Sequence, residues 1–132
     1  MNAGRLLRET GYDITTLRTE IDPVDPDRVN LWPAGGLLRR LWRPGIRAVT
    51  LWKWVLVDPE TIDGDREQLA RLTIHEMVHL RQFALLGYLR FTFRYLKEYL
   101  SSRLSGLDHR AAYLDISAER EAREVTDRIR PI

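Results

Sequence analysis

The strongest strand signal in the chain is a run of apolar and β-branched residues between Arg47 and Val57. Its sequence after the arginine is Ala-Val-Thr-Leu-Trp-Lys-Trp-Val-Leu-Val, and Asp58-Pro59 ends it. β-Branched and aromatic side chains favour extended backbone, so we predict one well-buried strand here. Because a lone strand leaves its backbone groups unpaired, one or two further strands must come from the N-terminal third.

Three later segments repeat apolar residues at the 3.6-residue spacing of amphipathic helices. The predicted helices run from Asp65 to about Leu86, from about Leu89 to Leu104, and from Ser117 to Ile129. Asp65 and Ser117 suit N-caps, and Gly87 suits the residue that follows a helix. The segment between the last two helices, which contains His109 and Tyr113, is expected to be a loop.

Residues 1–45 are expected to be irregular because prolines and glycines interrupt them repeatedly. Besides the one or two strands that the sheet requires, two short helices are predicted within them, around Ala3 to Arg8 and around Leu37 to Trp42. Residues 46–132 hold the remaining elements, and a chain of 132 residues with 44% apolar composition fits a single domain over 1–132. The predicted class is α+β, with a small mixed or antiparallel sheet packed on the first long helix and two further helices after it.

The helix predicted from Leu89 carries an apolar stripe next to a basic one. The stripe consists of Leu89, Phe93, Leu96, Leu100 and Leu104. Residues 81–103 contain five bases and a single acid, Glu98. We expect the stripe to pack against the preceding helix, because globular proteins usually bury such a face, and the bases to be solvated. The alternative is a weak contact of the Arg90–Lys97 stretch with a membrane surface.

The composition argues against several classes of function. The absence of cysteine excludes disulfides, thiolate nucleophiles and metals bound by cysteine. The net charge is only +2, so a dedicated nucleic-acid binder is not expected. No apolar run has the length of a signal peptide or of a membrane span, and we therefore expect a cytoplasmic protein. No sequence pattern indicates the oligomeric state.

Two of the three histidines lie four residues apart, in His75-Glu76-Met77-Val78-His79. On a helix this spacing places both rings on one face, where their nitrogens can bind one metal ion. Glu76 leaves the helix at another angle and can take a proton from a zinc-bound water. The same string also occurs on solvated helix faces that bind no metal. Here the flanking residues are apolar, so a metal site with buried imidazoles is the better explanation.

A catalytic zinc ion requires a third protein ligand, with the fourth position left for water. The metzincin motif would place a glycine and a histidine where this chain has Gln82 and Leu85. A carboxylate from a separate helix is the remaining choice, and the last predicted helix offers Glu119 and Glu121 near its start. These two residues flank its apolar face on opposite sides, so periodicity alone leaves both open.

These motifs resemble the gluzincins, and in particular the very small ones called minigluzincins. The HExxH string with Gln82 is similar to their HExxHxxQ motif. The segment Asp115–Ala122 is similar to their Glu-x-x-Ala helix, and Val49–Val57 is similar to the strand that binds peptide substrate in that family. The resemblance covers about residues 47–127.

The resemblance implies a zincin-like fold and a zinc-dependent metallopeptidase. One Zn²⁺ per chain would be held by His75, His79 and Glu119, with Glu76 as the general base. A peptide or protein substrate would lie antiparallel along Val49–Val57. A second hypothesis is that the fold keeps its zinc without turnover and serves as a binding or assembly module. A third is a metal-free helical domain with a basic stripe that touches membranes or nucleic acid.

The chain also departs from the family pattern. Gluzincins often have Asp or Asn four residues after the ligand glutamate to steady a histidine, whereas this chain has Arg123. Asp115 or Glu121 are the substitutes that can take this role. No residue stands out as the group that stabilises the oxyanion of the reaction, and Tyr113 and His109 are candidates by their position alone.

Overall fold

The computed structural model of the chain describes residues 1–34, 48–51 and 54–131. The described residues form seven α-helices, which are α1 (Ala3–Glu9), α2 (Ile14–Ile21), α3 (Pro59–Ile62), α4 (Arg66–Leu86), α5 (Tyr88–Leu104), α6 (His109–Asp115) and α7 (Ser117–Arg128). They also form three strands, which are β1 (Asn30–Pro33), β2 (Ala48–Leu51) and β3 (Trp54–Val57). The protein is therefore of the α+β class, as predicted. None of the described helices is long and apolar enough to cross a membrane.

The three strands form one mixed sheet in which β3 is central. β1 runs parallel to β3, with Leu31 opposite Val55, and β2 runs antiparallel to β3, with Thr50 opposite Val55. The prediction of a single strand between Arg47 and Val57 is therefore wrong, because the run folds back on itself as a hairpin. No glycine, asparagine or aspartate interrupts the run, so its sequence does not mark the turn. Positions 52 and 53, which join the two strands, lie outside the described residues.

Residues 1–34 contribute regular elements and core side chains, which corrects the expectation of an irregular N-terminal segment. Asn2 and Asp13 cap α1 and α2 by accepting hydrogen bonds from backbone N–H groups. The prolines that follow α2 leave both helices uninterrupted. The fully buried side chains of this segment include Leu6, Leu7, Leu17, Ile21 and Leu31.

Two of the three expectations for the N-terminal third are confirmed. The helix predicted around Ala3 to Arg8 is α1, and β1 is the additional strand that the sheet requires. The helix predicted around Leu37 to Trp42 lies outside the described residues. The hydrophobic core thus includes side chains from the first helix onward.

The helix predicted after Asp65 is confirmed as α4, the longest helix in the described part of the chain. Asp65 accepts a hydrogen bond from the backbone N–H of Glu67, and α4 ends at Gly87, whose φ of 80° favours glycine. One face of α4 lies in the core, where Ile74 and Met77 share a buried cluster with the inward side chains of β3. α7 packs along α4, and β2 lies beside it. These neighbours hold the HExxH helix on several sides.

Helix α5 turns its apolar stripe outward, which corrects the predicted packing of the stripe against α4. No residue of α5 is buried, and the exposed fractions reach 88% for Leu89, 71% for Phe93 and 89% for Leu104. The opposite face of α5 turns toward α4, where the ring centroids of Phe91 and Phe83 lie 4.4 Å apart in an edge-to-face contact.

Polar contacts explain this orientation of α5. The Tyr95 hydroxyl donates a hydrogen bond to Glu119 at 3.0 Å, and Ser117 Oγ donates one to the Glu98 carboxylate at 2.9 Å. Phe91, Tyr95 and Glu98 share the inner face of the helix at intervals of four and three residues. Burying the leucines instead would remove all of these contacts. Hydrophobic periodicity does not include such hydrogen bonds, so it predicted the wrong face.

Three helices follow α4, whereas the sequence predicted two. The additional one is α6, in the segment that we expected to be a loop. Asp108 caps it by accepting a hydrogen bond from the backbone N–H of Ala111. A helix of seven residues is too short to show a clear apolar period, so the capping aspartate was its main signal.

The burial of α2 and the exposure of α5 predict different results for two equivalent truncations. Leu17→Ala removes a fully buried side chain and should lower the free energy of unfolding by about 2–5 kcal/mol. Leu100→Ala removes a side chain that is 56% exposed and should change this free energy by less than about 0.5 kcal/mol. Urea denaturation measures both values. Equal losses would show that the stripe is buried against another part of the protein.

Candidate metal centre

Helix α4 places His75 and His79 one turn apart on the same face. Their ring centroids lie 5.0 Å apart, and the rings are close to perpendicular. His79 is buried, and His75 is half-buried. The ring of Phe91 from α5 meets the His79 ring edge to face and covers it from that direction. The spacing of four residues thus produces the shared histidine face that the sequence predicted.

The carboxylate of Glu119, near the start of α7, reaches both imidazoles. Its Oε2 lies 3.0 Å from His75 Nε2, and its Oε1 lies 3.2 Å from His79 Nε2. One possible ligand atom from each of the three residues lies within 4.8 Å of the other two. Glu119 is only 4% exposed, and a buried carboxylate is costly unless it is paired. The three residues therefore form one group that can hold a metal ion.

Glu121, the second carboxylate that periodicity left open, has a different set of partners. Its Oε1 lies 3.3 Å from Gln82 Nε2 and 3.7 Å from Arg81 Nη1. Residues two apart on a helix differ in direction by about 200°, so Glu121 does not share the face of Glu119. The carboxylate at the histidines is thus Glu119, the residue that the Glu-x-x-Ala resemblance implied.

Gln82 fixes the orientation of the His79 ring. Its amide nitrogen donates a hydrogen bond to the carbonyl oxygen of Ala118 at 3.0 Å, so its Oε1 is the atom that lies 2.8 Å from His79 Nδ1. An amide oxygen only accepts hydrogen bonds, and Nδ1 therefore carries the hydrogen. The other ring nitrogen, Nε2, is the one that faces Glu119. The glutamine of the HExxHxxQ string thus connects α4 to the start of α7.

The contact between His79 Nε2 and Glu119 Oε1 requires a proton between the two atoms. When the imidazole is neutral with its hydrogen on Nδ1, both Nε2 and the facing carboxylate oxygen are acceptors. Burial alone would lower the pKa of His79, but the hydrogen bond and charge of Glu119 outweigh it and raise this pKa to about 9. Burial alone would raise the pKa of Glu119, but hydrogen bonds to both histidines hold it well below its usual range. A proton occupies this position in the metal-free protein, and a metal ion can replace it.

Two tyrosines, Tyr95 of α5 and Tyr113 of α6, also reach Glu119. The Tyr95 hydroxyl donates to Oε1 of the carboxylate at 3.0 Å. Burial, followed by the charge of Glu119, raises the pKa of both tyrosines above the usual range. Both hydroxyls therefore stay protonated near neutral pH and act as donors. The sequence singled out Tyr113 but missed Tyr95, whose only signal was its spacing of four from Phe91 on the face opposite the apolar stripe.

Glu76 lies beside the group formed by the histidines and Glu119. It is buried, with 8% of its surface exposed. Burial and Glu119 have the largest effects on the pKa of His79, Tyr95 and Tyr113. The negative charge of Glu76 adds a smaller upward shift to the pKa of all three. Glu76 is thus a buried carboxylate whose charge acts on the groups around Glu119.

The structure brings neither His109 nor Asp115 to this group. His109 Nδ1 lies 2.8 Å from the Tyr99 hydroxyl on an exposed surface. The Asp115 carboxylate accepts a hydrogen bond from Ser102 Oγ at 3.4 Å. Asp115 and Glu121 were the two carboxylates expected to steady a histidine. Only Glu121 is connected to the site, because it accepts a hydrogen bond from the Gln82 amide that orients the His79 ring.

The proton shared by His79 and Glu119 predicts a pH-dependent stability of the metal-free protein. The pKa of His79 is about 9 in the fold and about 6.5 in the unfolded chain. Its contribution to the free energy of unfolding is therefore complete below about pH 6.5 and is lost as pH rises through 9. The lowered pKa of Glu119 makes its contribution present above about pH 4.5 and lost on acidification. In the presence of a chelator, the free energy of unfolding should fall by an amount on the order of 3 kcal/mol between about pH 6.5 and 9.5.

Urea denaturation across this range tests the prediction. Glu119→Gln should abolish the decline because the neutral amide no longer favours a protonated histidine. Glu121→Gln, the same substitution two residues further on, should preserve it. An equal decline in both variants would mean that another group is responsible.

Comparison with known proteins assigns no family to this chain. No protein-family model matches it, and no curated protein or solved structure does so either. The resemblance to minigluzincins thus depends on the HExxHxxQ and Glu-x-x-Ala strings and stays a prediction.

Proposed function

We propose that this protein is a zinc-dependent hydrolase of the metallopeptidase type, with a gluzincin-like site in a zincin-like fold. The observation that supports the proposal most is the contact of one buried carboxylate, Glu119, with the imidazoles of His75 and His79. Two imidazoles and one carboxylate are the protein ligands of a known class of catalytic zinc site, in which water or substrate takes the fourth position. These three residues would hold one zinc ion per chain.

The donor atoms and their spacing suit zinc. Ligands about 2.0–2.1 Å from a tetrahedral ion lie roughly 3.3 Å from one another. The nitrogen-to-oxygen separations in this group are 3.0 and 3.2 Å, each to a different oxygen of Glu119, and one ligand atom of each residue lies within 4.8 Å of the other two. When bound, zinc would act as a Lewis acid and lower the pKa of a coordinated water to about 7. The same donors also bind iron(II) and other first-row ions, so metal analysis has to identify the ion.

Glu76 is the proposed general base. Adjacent residues on a helix differ in direction by about 100°, so its carboxylate lies next to the three ligands and not among them. It would take a proton from the attacking water and give it to the leaving nitrogen of a peptide bond. Its burial keeps this carboxylate out of bulk solvent.

The two tyrosines have different proposed roles. Tyr95 donates to Oε1 of Glu119 and so orients the carboxylate that contacts both imidazoles. Tyr113 is 39% exposed, so part of this residue is open to a substrate. Because that hydroxyl stays protonated, Tyr113 is our candidate for the hydrogen bond to the oxyanion. His109 is bonded to Tyr99 and is no longer proposed for this role.

A peptide substrate is proposed to lie antiparallel along β2. β3 is paired on both sides, so it cannot accept a further strand. β2 is an edge of the described sheet and lies beside α4, which carries the histidines. Adding a strand to a sheet edge pairs the main-chain groups of the substrate and leaves its side chains to determine specificity. The protein strand that would pair with the substrate was expected over Val49–Val57, and it is now limited to residues 49–51.

Metal analysis and peptide hydrolysis of four variants test the proposed roles. His79→Ala and Glu119→Gln should each lose the zinc, because each removes one of three protein ligands. Glu76→Gln should keep about one zinc per chain and lower the rate of hydrolysis about 10²–10⁴-fold, because the base is gone. Glu121→Gln is the matched comparison for Glu119→Gln and should keep the zinc, because the new amide oxygen can still accept the hydrogen bond from Gln82. Mass spectrometry of the metal content and a peptide library supply the two measurements.

The outcomes separate the three hypotheses. Zinc that follows the predicted pattern, without cleavage of any library peptide by the unmodified chain, would favour a binding or assembly module. Zinc lost from Glu121→Gln but kept in Glu119→Gln would contradict the ligand assignment. No bound metal under metal-replete conditions would leave the metal-free helical domain.

The contact between Gln82 and His79 predicts a weaker metal site when the amide is removed. Gln82→Leu deletes the acceptor at His79 Nδ1, so the ring loses the group that sets its tautomer and orientation. We expect the zinc affinity, measured by competition with a chromogenic chelator, to fall about 10–100-fold. Gln68→Leu makes the same change at an exposed position of α4 and should leave the affinity unchanged. Equal affinities in both variants would rule out this role for Gln82.

A further inference from the structure

The outward face of α5 is an apolar surface that no described element buries. We call it the outer stripe, and it consists of Leu89, Phe93, Leu96, Leu100 and Leu104. Each of these side chains is more than half exposed. Isolated apolar residues on a surface need no explanation, but a continuous stripe over four helical turns marks an interaction site.

Three cations border the outer stripe. At about 100° per residue, Arg90 and Lys97 lie on one side of it, roughly 60–90° from its centre, and Arg103 lies on the other. All three are exposed, and none forms an ion pair within the part of the chain that the structure describes. The single acid of the helix, Glu98, lies on the inner face and accepts a hydrogen bond from Ser117. The charged residues that border the stripe are therefore all cations.

We propose that the outer stripe binds the surface of an anionic lipid bilayer, with α5 lying parallel to that surface. The leucines and Phe93 would enter the boundary between headgroups and acyl chains. Arg90, Lys97 and Arg103 would lie at the level of the lipid phosphates, since long basic side chains reach outward from an apolar face. With 17 residues, α5 is about 25 Å long, so it provides an extended contact along the surface.

Charge favours an anionic bilayer over a second copy of the chain or a nucleic acid as the partner of the outer stripe. A second copy of the chain would place two helices side by side that each carry unpaired cations along the stripe, and like charges repel. A nucleic acid would pair with the cations but leave the leucines in water. An anionic bilayer satisfies both sets of groups at once, because its phosphates attract the cations and its interior accepts the apolar side chains.

The proposed surface is independent of the metal centre. The inner face of α5 carries Phe91 and Tyr95, which contact His79 and Glu119. Substitutions in the outer stripe leave these contacts in place, so metal content and helicity serve as checks that a variant is folded. The bilayer contact can therefore fail while the proposed hydrolase function holds, and the reverse is also true.

Co-sedimentation of the full chain with vesicles tests the proposal. One set of vesicles contains phosphatidylcholine and phosphatidylglycerol at about three to one, and the other contains phosphatidylcholine alone. We expect the unmodified chain to bind the anionic vesicles at least about tenfold more tightly. Leu96→Gln/Leu100→Gln should weaken this binding about tenfold or more, because both side chains leave the apolar face. Thr92→Gln/Ser101→Gln, at exposed polar positions of the same helix, should not weaken it.

A second pair of variants tests the role of charge. Arg90→Gln/Lys97→Gln/Arg103→Gln should remove the preference for anionic vesicles. Arg28→Gln/Arg120→Gln/Arg130→Gln removes the same charge from exposed positions outside α5 and should preserve that preference. An equal loss in both triple variants would show that only net charge matters and would overturn the proposal.

Two further results would also overturn the proposal. The first is that the folded, unmodified chain does not bind anionic vesicles. The second is a dimer in analytical ultracentrifugation that Leu96→Gln/Leu100→Gln dissociates, without vesicle binding by the unmodified chain. That result would assign the outer stripe to contact between two copies.

Discussion

The buried charge of Glu119 is the constraint on which the arrangement of the C-terminal helices depends. A carboxylate that is 4% exposed stays ionised only if other groups replace the water it has lost. α4 supplies two imidazoles, α5 supplies the Tyr95 hydroxyl, and α6 supplies Tyr113. Each helix from α4 to α6 thus contributes a side chain to one residue of α7. The orientation of α5, which no hydrophobic pattern explains, follows from this requirement.

Local features of the structure could be predicted from the sequence because local interactions determine them. Asp65 and Gly87 bound α4 through a side-chain cap and a positive φ, and both signals are visible in single residues. The histidine pair follows from helical geometry. Glu119 is different, since periodicity could not distinguish it from Glu121. Only the resemblance to the Glu-x-x-Ala helix indicated it, and the contacts of both residues in the fold agree with that choice.

The features that were missed depend on contacts between distant segments. The hairpin of β2 and β3 has no turn residue in its sequence, so a continuous apolar run predicted one strand. Tyr95 lies on a helix whose leucines predict the opposite orientation. It faces inward because its hydroxyl bonds to the Glu119 carboxylate, 24 residues away in the sequence. The N-terminal segment contains many prolines, yet its leucines fill the core. In each case the structure of the segment is determined by contacts with residues that are distant in the sequence.

Gln82 has a consequence for how the site is assembled. Its amide oxygen bonds to His79 and its amide nitrogen bonds to the first turn of α7. These two bonds fix the His79 ring relative to the helix that carries Glu119. His75 and Glu119 are separated by 44 residues, and an ion held between them would close that length of chain into a loop. Because the three ligands meet only in the folded chain, the free energy of ion binding would become part of the free energy of folding. A nascent chain that ends before residue 117 would contain the whole HExxH string and yet have no complete coordination shell.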